Sequence, residues 1–208
     1  MTQGQLRELY GFAIIEDTRE QTPLDFTRAT DIPTVRQKLD TGDYSATGYE
    51  SLVTIERKNP EDLVTSVIRD RARFERELKR MKEDGYKLCV IYCEAAYADI
   101  AAGAYRGGSN PKSVLGSLDA FAARYGVPTL FCSHPVYNIP RSPRIRWEAL
   151  VARASRLNRR EMAHRIAGIL KYFVREQIGK REWDRRQRLL EKAYKTENAA
   201  KLDTPPEF

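Results

Sequence analysis

Strand-length apolar runs alternate with helical patterns along the first two thirds of the chain, and this alternation constrains the fold most. Four runs have the length and β-branched content of buried or half-buried strands: residues 12–17, 52–58, 87–94 and 126–132. Between them, Asn59 with Pro60 and Asn110 with Pro111 are typical helix starts, because Asn caps a first turn and Pro fits its first position. The order of elements predicts one α/β domain, a mixed sheet flanked by helices.

The C-terminal third differs from this domain in pattern and in charge. Prolines at 135, 140 and 143 predict a linker, followed by helices over residues 147–178 and 181–200 that are separated at Gly179. Lys and Arg number 18 against 20 Asp and Glu in residues 1–140, but 18 against 9 in residues 141–208. We therefore predict a folded domain over 1–140 and a basic helical tail over 141–208, which is either a grip for nucleic acid or a solvated basic helix.

The cysteine content and the hydropathy predict the compartment. Cys89, Cys93 and Cys132 are too few for a disulfide framework, which is typical of a reducing environment. With His134 they could suggest a zinc site, but Cys89 and Cys93 share one apolar strand, which favours core packing. No run is apolar over the length of a bilayer and no lysine-bearing phosphate loop is present, so we expect a cytoplasmic protein with no membrane partner and no nucleotide cofactor.

Charged residues at two predicted strand ends carry the candidate chemistry. Asp43 follows Gly42 and, after twelve intervening residues, Glu56, Arg57 and Lys58 end a strand whose alternation places Glu56 and Lys58 on one face. Two carboxylates suit a hard cation such as Mg²⁺ or Mn²⁺, and a nearby ammonium can stabilise charge during phosphodiester hydrolysis. The spacing alone also fits an exposed strand edge that merely carries charges.

A longer set of residues resembles a known family. Asp17 and Glu20, Gly42 with Asp43, and the Glu-Arg-Lys triplet at 56–58, followed after three intervening residues by Asp62, look like the signature of the XPF-type nucleases. The resemblance covers roughly residues 13–135 and leaves the helical tail outside. It implies a restriction-endonuclease-like core, metal-dependent cutting of DNA, often at branched structures in repair or recombination, and a homodimer.

The same resemblance implies roles for individual residues. Asp43 and Glu56, with Asp17, would be the metal ligands, and Lys58 would position or activate the attacking water. Arg57 would support the site or contact phosphate. The catalytic set implied by the resemblance is Asp17, Glu20, Asp43, Glu56, Arg57, Lys58 and Asp62, although Asp62 also suits a helix cap. Basic residues expected to contact DNA are Arg69, Arg73, Arg106 and Lys112.

One departure from the family pattern leaves alternatives open. Many relatives carry paired helix-hairpin-helix motifs that hold duplex DNA, and residues 141–208 contain no clear glycine-centred pair of this kind. The preference for branched DNA is therefore open, and the basic tail could replace that module by contacting phosphates. Two other functions fit the sequence: an inactive DNA-binding subunit of a nuclease complex, and a basic nucleic-acid-binding adaptor.

Overall fold

The computed structural model describes residues 3–136 and 147–202. Its strands are β1 Ile14–Glu16, β2 Thr34–Arg36, β3 Tyr44–Ala46, β4 Val53–Lys58, β5 Leu88–Ala96 and β6 Thr129–Cys132. Its helices are α1 Gln3–Tyr10, α2 Pro60–Ile68, α3 Arg71–Glu83, α4 Tyr97–Ala101, α5 Pro111–Tyr125, α6 Trp147–Ile178 and α7 Lys180–Leu202. The predicted linker prolines at 140 and 143 lie outside the described residues.

Within the described residues the six strands form one mixed sheet in the order β2-β1-β3-β4-β5-β6. The pairs β1/β2, β4/β5 and β5/β6 are parallel, whereas β3 runs antiparallel to both β1 and β4. The predicted fold class, a mixed sheet flanked by helices with a C-terminal helical stretch, is confirmed. Because β3 lies between β1 and β4, the loop that precedes β3 is placed beside the end of β4.

Helices cover both faces of the sheet. On the first face, α6 contributes the buried residues Met162, Ile166, Leu170 and Val174 to a core that also holds residues of β1, β3 and β4. On the second face, α2, α3 and α5 pack over alternate residues of β5. The division at residue 140 stays a prediction, but α6 packs against the sheet as a core helix and does not project from it.

The three cysteines lie in these cores, as core packing predicts. Cys89 and Cys93 belong to the core of the second face, whereas Cys132 belongs to the first. Burial raises the pKa of the Cys93 thiol to about 12 and that of Cys89 to about 11, so both are neutral at physiological pH. Within residues 3–136 and 147–202, no helix has both the length and the apolarity of a membrane span.

Strands β2 and β3 depart from the sequence expectation, which also did not include helices α1 and α4. The predicted turn around Gly42 is present, with a φ of +75° at Gly42, but Tyr44 already begins β3. Strand β2 was not expected, because its three residues are exposed or half-buried and carry no apolar pattern. Both strands are only three residues long, so most of their stability comes from the sheet around them.

Candidate active site

Asp43 is fixed against β4 by its backbone and by its side chain. Its N–H donates to the carbonyl of Ile55 (2.9 Å), and its Oδ2 accepts a hydrogen bond from the N–H of Arg57 (2.7 Å). The turn before it requires glycine, because a Cβ at Gly42 would lie 2.1 Å from Thr54 Oγ1. The carboxylate of Asp43 is therefore held at the end of β4.

Glu56 and Lys58 lie on the same face of β4, as the alternation predicted. Lys58 Nζ lies 2.8 Å from Glu56 Oε1 and 5.2 Å from the centroid of the Phe74 ring on α3. Burial alone would lower the pKa of Lys58, but the charge of Glu56 outweighs this and the pKa is raised. Lys58 is therefore a fixed ammonium group.

The charge of Glu56 affects the ionisation of Asp43. Burial and then the charge of Glu56 raise the pKa of Asp43 to about 7, because two carboxylates in one site resist double ionisation. A divalent cation relieves this repulsion, and the donor atoms are all oxygen, which Mg²⁺ and Mn²⁺ prefer. The pair therefore fits such an ion.

No larger cluster of metal-binding side chains surrounds Asp43 and Glu56 in the described part of the chain. Within residues 3–136 and 147–202, no three His, Cys, Asp or Glu side chains are grouped to hold one ion. Mg²⁺ commonly takes only one or two protein carboxylates and completes its shell with water and substrate phosphate. The two carboxylates of Asp43 and Glu56 are therefore sufficient for a site of this kind.

The carboxylate of Asp17 is held by hydrogen bonds from neighbouring groups of the protein. Its carboxylate accepts hydrogen bonds from the N–H of Leu39 (2.6 Å), the N–H of Arg19 (2.7 Å) and the Arg19 side chain (2.8 Å). Burial raises the pKa of Asp17, but these hydrogen bonds outweigh it and lower the pKa to about 2. The N–H of Asp17 also donates to the carbonyl of Asp43 (2.8 Å). Asp17 thus helps to position Asp43, and direct metal binding by Asp17 stays a prediction.

Arg57 lies on the opposite face of β4 from Lys58 and joins two glutamates. Its guanidinium contacts Glu20 (2.8 Å), Thr22 Oγ1 (2.7 Å) and the carboxylate of Glu94 at the end of β5. Burial raises the pKa of Glu20, but the hydrogen bonds from Arg57 and Thr22 outweigh it and lower the pKa. Arg57 therefore ties the loop after β1 to two strand ends.

Asp62 takes part in the start of α2. Asn59 Oδ1 accepts from the N–H of Asp62 (2.8 Å), and the Asn59 side-chain amide donates back to Asp62 Oδ2 (2.7 Å). The helix-cap interpretation therefore has a geometric basis. A role of Asp62 in catalysis stays a prediction.

An open cleft of about 920 Å³ gathers the whole predicted set. It is lined, among others, by all seven residues of that set: Asp17, Glu20, Asp43, Glu56, Arg57, Lys58 and Asp62. Its lining is mainly polar and charged, with seven acidic and six basic side chains. The seven residues come from separate segments of the chain, and the sheet topology brings them together.

The residues predicted to contact DNA are divided between different places. Arg73 lines the active-site cleft, whereas Arg69 and Arg106 line a separate cavity of about 250 Å³ near the start of α5. Lys112 lies in the first turn of α5, where its N–H donates to Asn110. Of these four, Arg73 alone is a lining residue of the active-site cleft.

Glu94 and Arg159 belong to the network around the cleft and were not identified as site residues from the sequence. Glu94 was read only as the end of a buried strand, although its carboxylate contacts Arg57. Arg159 lies on α6, 65 positions away from Glu94, and its guanidinium contacts the same carboxylate at 2.8 Å. Two residues so far apart in the sequence form no local pattern, so their contact cannot be predicted from sequence spacing.

Two of the solved structures that match this chain are of XPF from Aeropyrum pernix. XPF from Aeropyrum pernix is 17% identical, with 79% of this chain and 73% of that chain covered and a TM-score of 0.44. XPF from Aeropyrum pernix in complex with DNA is 19% identical, with 70% and 64% covered and the same TM-score of 0.44. The chain therefore spans less than two thirds of the length of the second structure.

Comparison with families gives a match over most of the sheet and the cleft. No curated protein matches the chain. The ERCC4 domain matches residues 16–136, more than half of the 208 residues, and this range contains all seven residues of the predicted site. The predicted membership of the XPF-type group is confirmed by this match, and the chain belongs to the ERCC4 domain family.

Proposed function

We propose that this chain is a divalent-metal-dependent DNA endonuclease that hydrolyses phosphodiester bonds in the cleft beside β4. The observation that carries the proposal is the convergence of Asp43, Glu56 and the Lys58 ammonium in one open, charged cleft. Membership of the ERCC4 domain family supports it. Preference for branched DNA, a role in repair or recombination, and a homodimeric state remain further parts of the proposal.

In this proposal Asp43 and Glu56 hold the metal, and their neighbours have separate roles. A bound Mg²⁺ or Mn²⁺ supplies positive charge that favours ionisation of water and offsets the charge that develops on the phosphate. Lys58 is protonated, so it cannot accept a proton from water; we assign it the orientation of the nucleophile and stabilisation of negative charge. Asp17 keeps Asp43 in place through the backbone.

A row of arginines on α3 supports a nucleic-acid substrate. Arg73, Arg76 and Arg80 are exposed, line the cleft, and follow one helix face at spacings of three and four residues. At 1.5 Å per residue the row is about 10 Å long, which matches about three phosphates of one strand at 3.4 Å each. The row therefore suits the backbone of a strand that enters the cleft.

The double variant Arg76→Ala with Arg80→Ala is expected to bind DNA about tenfold more weakly at low salt. Each lost phosphate contact also reduces the slope of log affinity against log salt by about one. Fluorescence anisotropy with labelled DNA in EDTA measures binding without cleavage. Lys79→Ala is the control, because Lys79 is an exposed cation of the same helix that pairs with Glu83 and does not line the cleft. Equal affinities of the two variants would contradict the assignment.

The test of the proposed function is a cleavage assay with linear, single-stranded, flap and fork DNA in Mg²⁺ or Mn²⁺. The proposal expects metal-dependent cutting by the wild type and none by Asp43→Asn or Lys58→Ala. DNA binding with no cutting by the wild type would instead support an inactive subunit. A wild type that neither binds nor cuts DNA would support the basic adaptor.

A further inference from the structure

The network around the cleft extends beyond the family match, which ends at residue 136. Arg159 lies on α6, and its Nη1 donates to Glu94 Oε1 at 2.8 Å. Its Nη2 donates to two backbone carbonyls, those of Thr22 and Pro23, at 2.8 Å each. One side chain of α6 therefore contacts both the end of β5 and the loop that follows β1.

Glu94 connects Arg159 to the cleft. The oxygen that accepts from Arg159 also accepts from Arg57, so two guanidinium groups share one carboxylate. Arg57 in turn donates to Glu20 (2.8 Å) and to Thr22 Oγ1 (2.7 Å). The loop of residues 20–23 is thus held by Arg57 through its side chains and by Arg159 through its backbone carbonyls.

Directional hydrogen bonds place α6 where Arg159 can make these contacts. The fully buried Asn158 donates to the carbonyls of Glu94 (3.0 Å) and His134 (2.9 Å) and accepts from the N–H of His134 (3.1 Å). One turn further, Glu161 accepts from the N–H and hydroxyl of Ser133. Apolar packing alone would allow α6 to slide, whereas these bonds fix its register against β5 and β6.

We propose that Arg159 is a positioning residue of the active site, which keeps Glu94 and the 20–23 loop in place so that Glu20 and Arg57 hold their positions on the cleft wall. The inference rests on the proposed function. Without Arg159, Glu94 keeps only one cationic partner and two loop carbonyls lose their donor. A lysine cannot reproduce the planar fork that reaches a carboxylate and two carbonyls at once.

The first test compares steady-state cleavage by Arg159→Ala, Arg159→Lys and the matched control Arg160→Ala. Arg160 is the exposed neighbour on α6. For Arg159→Ala we expect kcat to fall about tenfold with KM changed less than about twofold, because a displaced group costs rate more than binding. Arg159→Lys is expected to recover part of the loss, and Arg160→Ala to match the wild type. A wild-type kcat in Arg159→Ala would overturn the inference.

The second test does not depend on activity. The N–H of Thr22 donates to Glu20 Oε1 at 2.8 Å, so its hydrogen exchange reports the order of the loop. Arg159→Ala is expected to raise this exchange about tenfold, and Arg160→Ala to leave it unchanged. If Arg159→Ala does not fold, Arg159→Lys serves for the comparison. Unchanged exchange in Arg159→Ala would overturn the inference. A wild type that cuts no DNA would contradict the proposed function, and the exchange result would then decide the role of Arg159.

Discussion

Replacing Asp43 with asparagine is expected to lower the single-turnover rate of DNA cleavage about a thousandfold, equivalent to about 4 kcal/mol of transition-state stabilisation. Asparagine keeps an oxygen that can accept the hydrogen bond from the N–H of Arg57, so the local structure should survive. It removes the negative charge that a divalent cation requires. The loss should therefore appear in the chemical step and leave folding nearly unchanged.

Asp119→Asn is the matched control for this variant. Asp119 is an exposed aspartate on α5 and does not line the cleft. Its cleavage rate and its thermal midpoint should equal those of the wild type. A rate for Asp43→Asn within tenfold of the wild type would contradict the assignment of Asp43 to the metal site.

Replacing Ile166 with aspartate is expected to unfold the protein at physiological temperature. Ile166 is fully buried where α6 packs on the sheet, and burial of an unpaired carboxylate there costs more than about 4 kcal/mol, a large part of the stability of a domain. His164→Asp is the control, because His164 is exposed on the same helix. Urea unfolding followed by circular dichroism measures both, and equal midpoints would contradict a core role for α6.

This role of α6 changes how the basic C-terminal region can be studied. Removal of all residues after 142 would take α6 out of the core of the first face. Loss of DNA binding in such a truncation would follow from unfolding alone. Substitution of single exposed basic residues on α6 and α7 is the informative experiment for a role in holding DNA.

The sequence predicted the elements whose local pattern is strong. Strand β4 was predicted with its two faces, because alternation with period two places Glu56 and Lys58 together and Arg57 opposite. Helices α2 and α5 were predicted from Asn-Pro starts, and both asparagines cap their helices. Strand β2 was missed because it has three residues and its pairing with β1 determines it.

The C-terminal region was interpreted mainly from its charge, and the apolar pattern of α6 was not used. Met162, Ile166, Leu170 and Val174 follow one another at intervals of four, which is the spacing of a buried helix face. This signal was available beside the excess of arginine. The contact of Arg159 with Glu94 could not be predicted from the sequence, because only the packing of α6 on the sheet brings the two residues together.

For the site, the family resemblance identified seven residues, and the fold brings all of them to one cleft. The sequence could not reveal the hydrogen-bond partners of each residue or the pKa of its side chain. Asp17 is surrounded by hydrogen-bond donors, whereas Asp43 has a raised pKa because of burial and of Glu56. These differences depend on which groups the fold places beside each carboxylate, such as the N–H of Leu39, which is 22 residues from Asp17 in the sequence.

The most direct test of the central claim is Mn²⁺ binding followed by NMR on protein labelled with ¹⁵N. If Asp43 and Glu56 bind one divalent ion together, paramagnetic broadening should centre on the amides of residues 42–44 and 56–58. Mg²⁺ should compete with Mn²⁺ and reduce this broadening. The broadening should be absent in the double variant Asp43→Asn with Glu56→Gln. Broadening that centres elsewhere, or that persists in the double variant, would contradict a shared metal site for these two carboxylates.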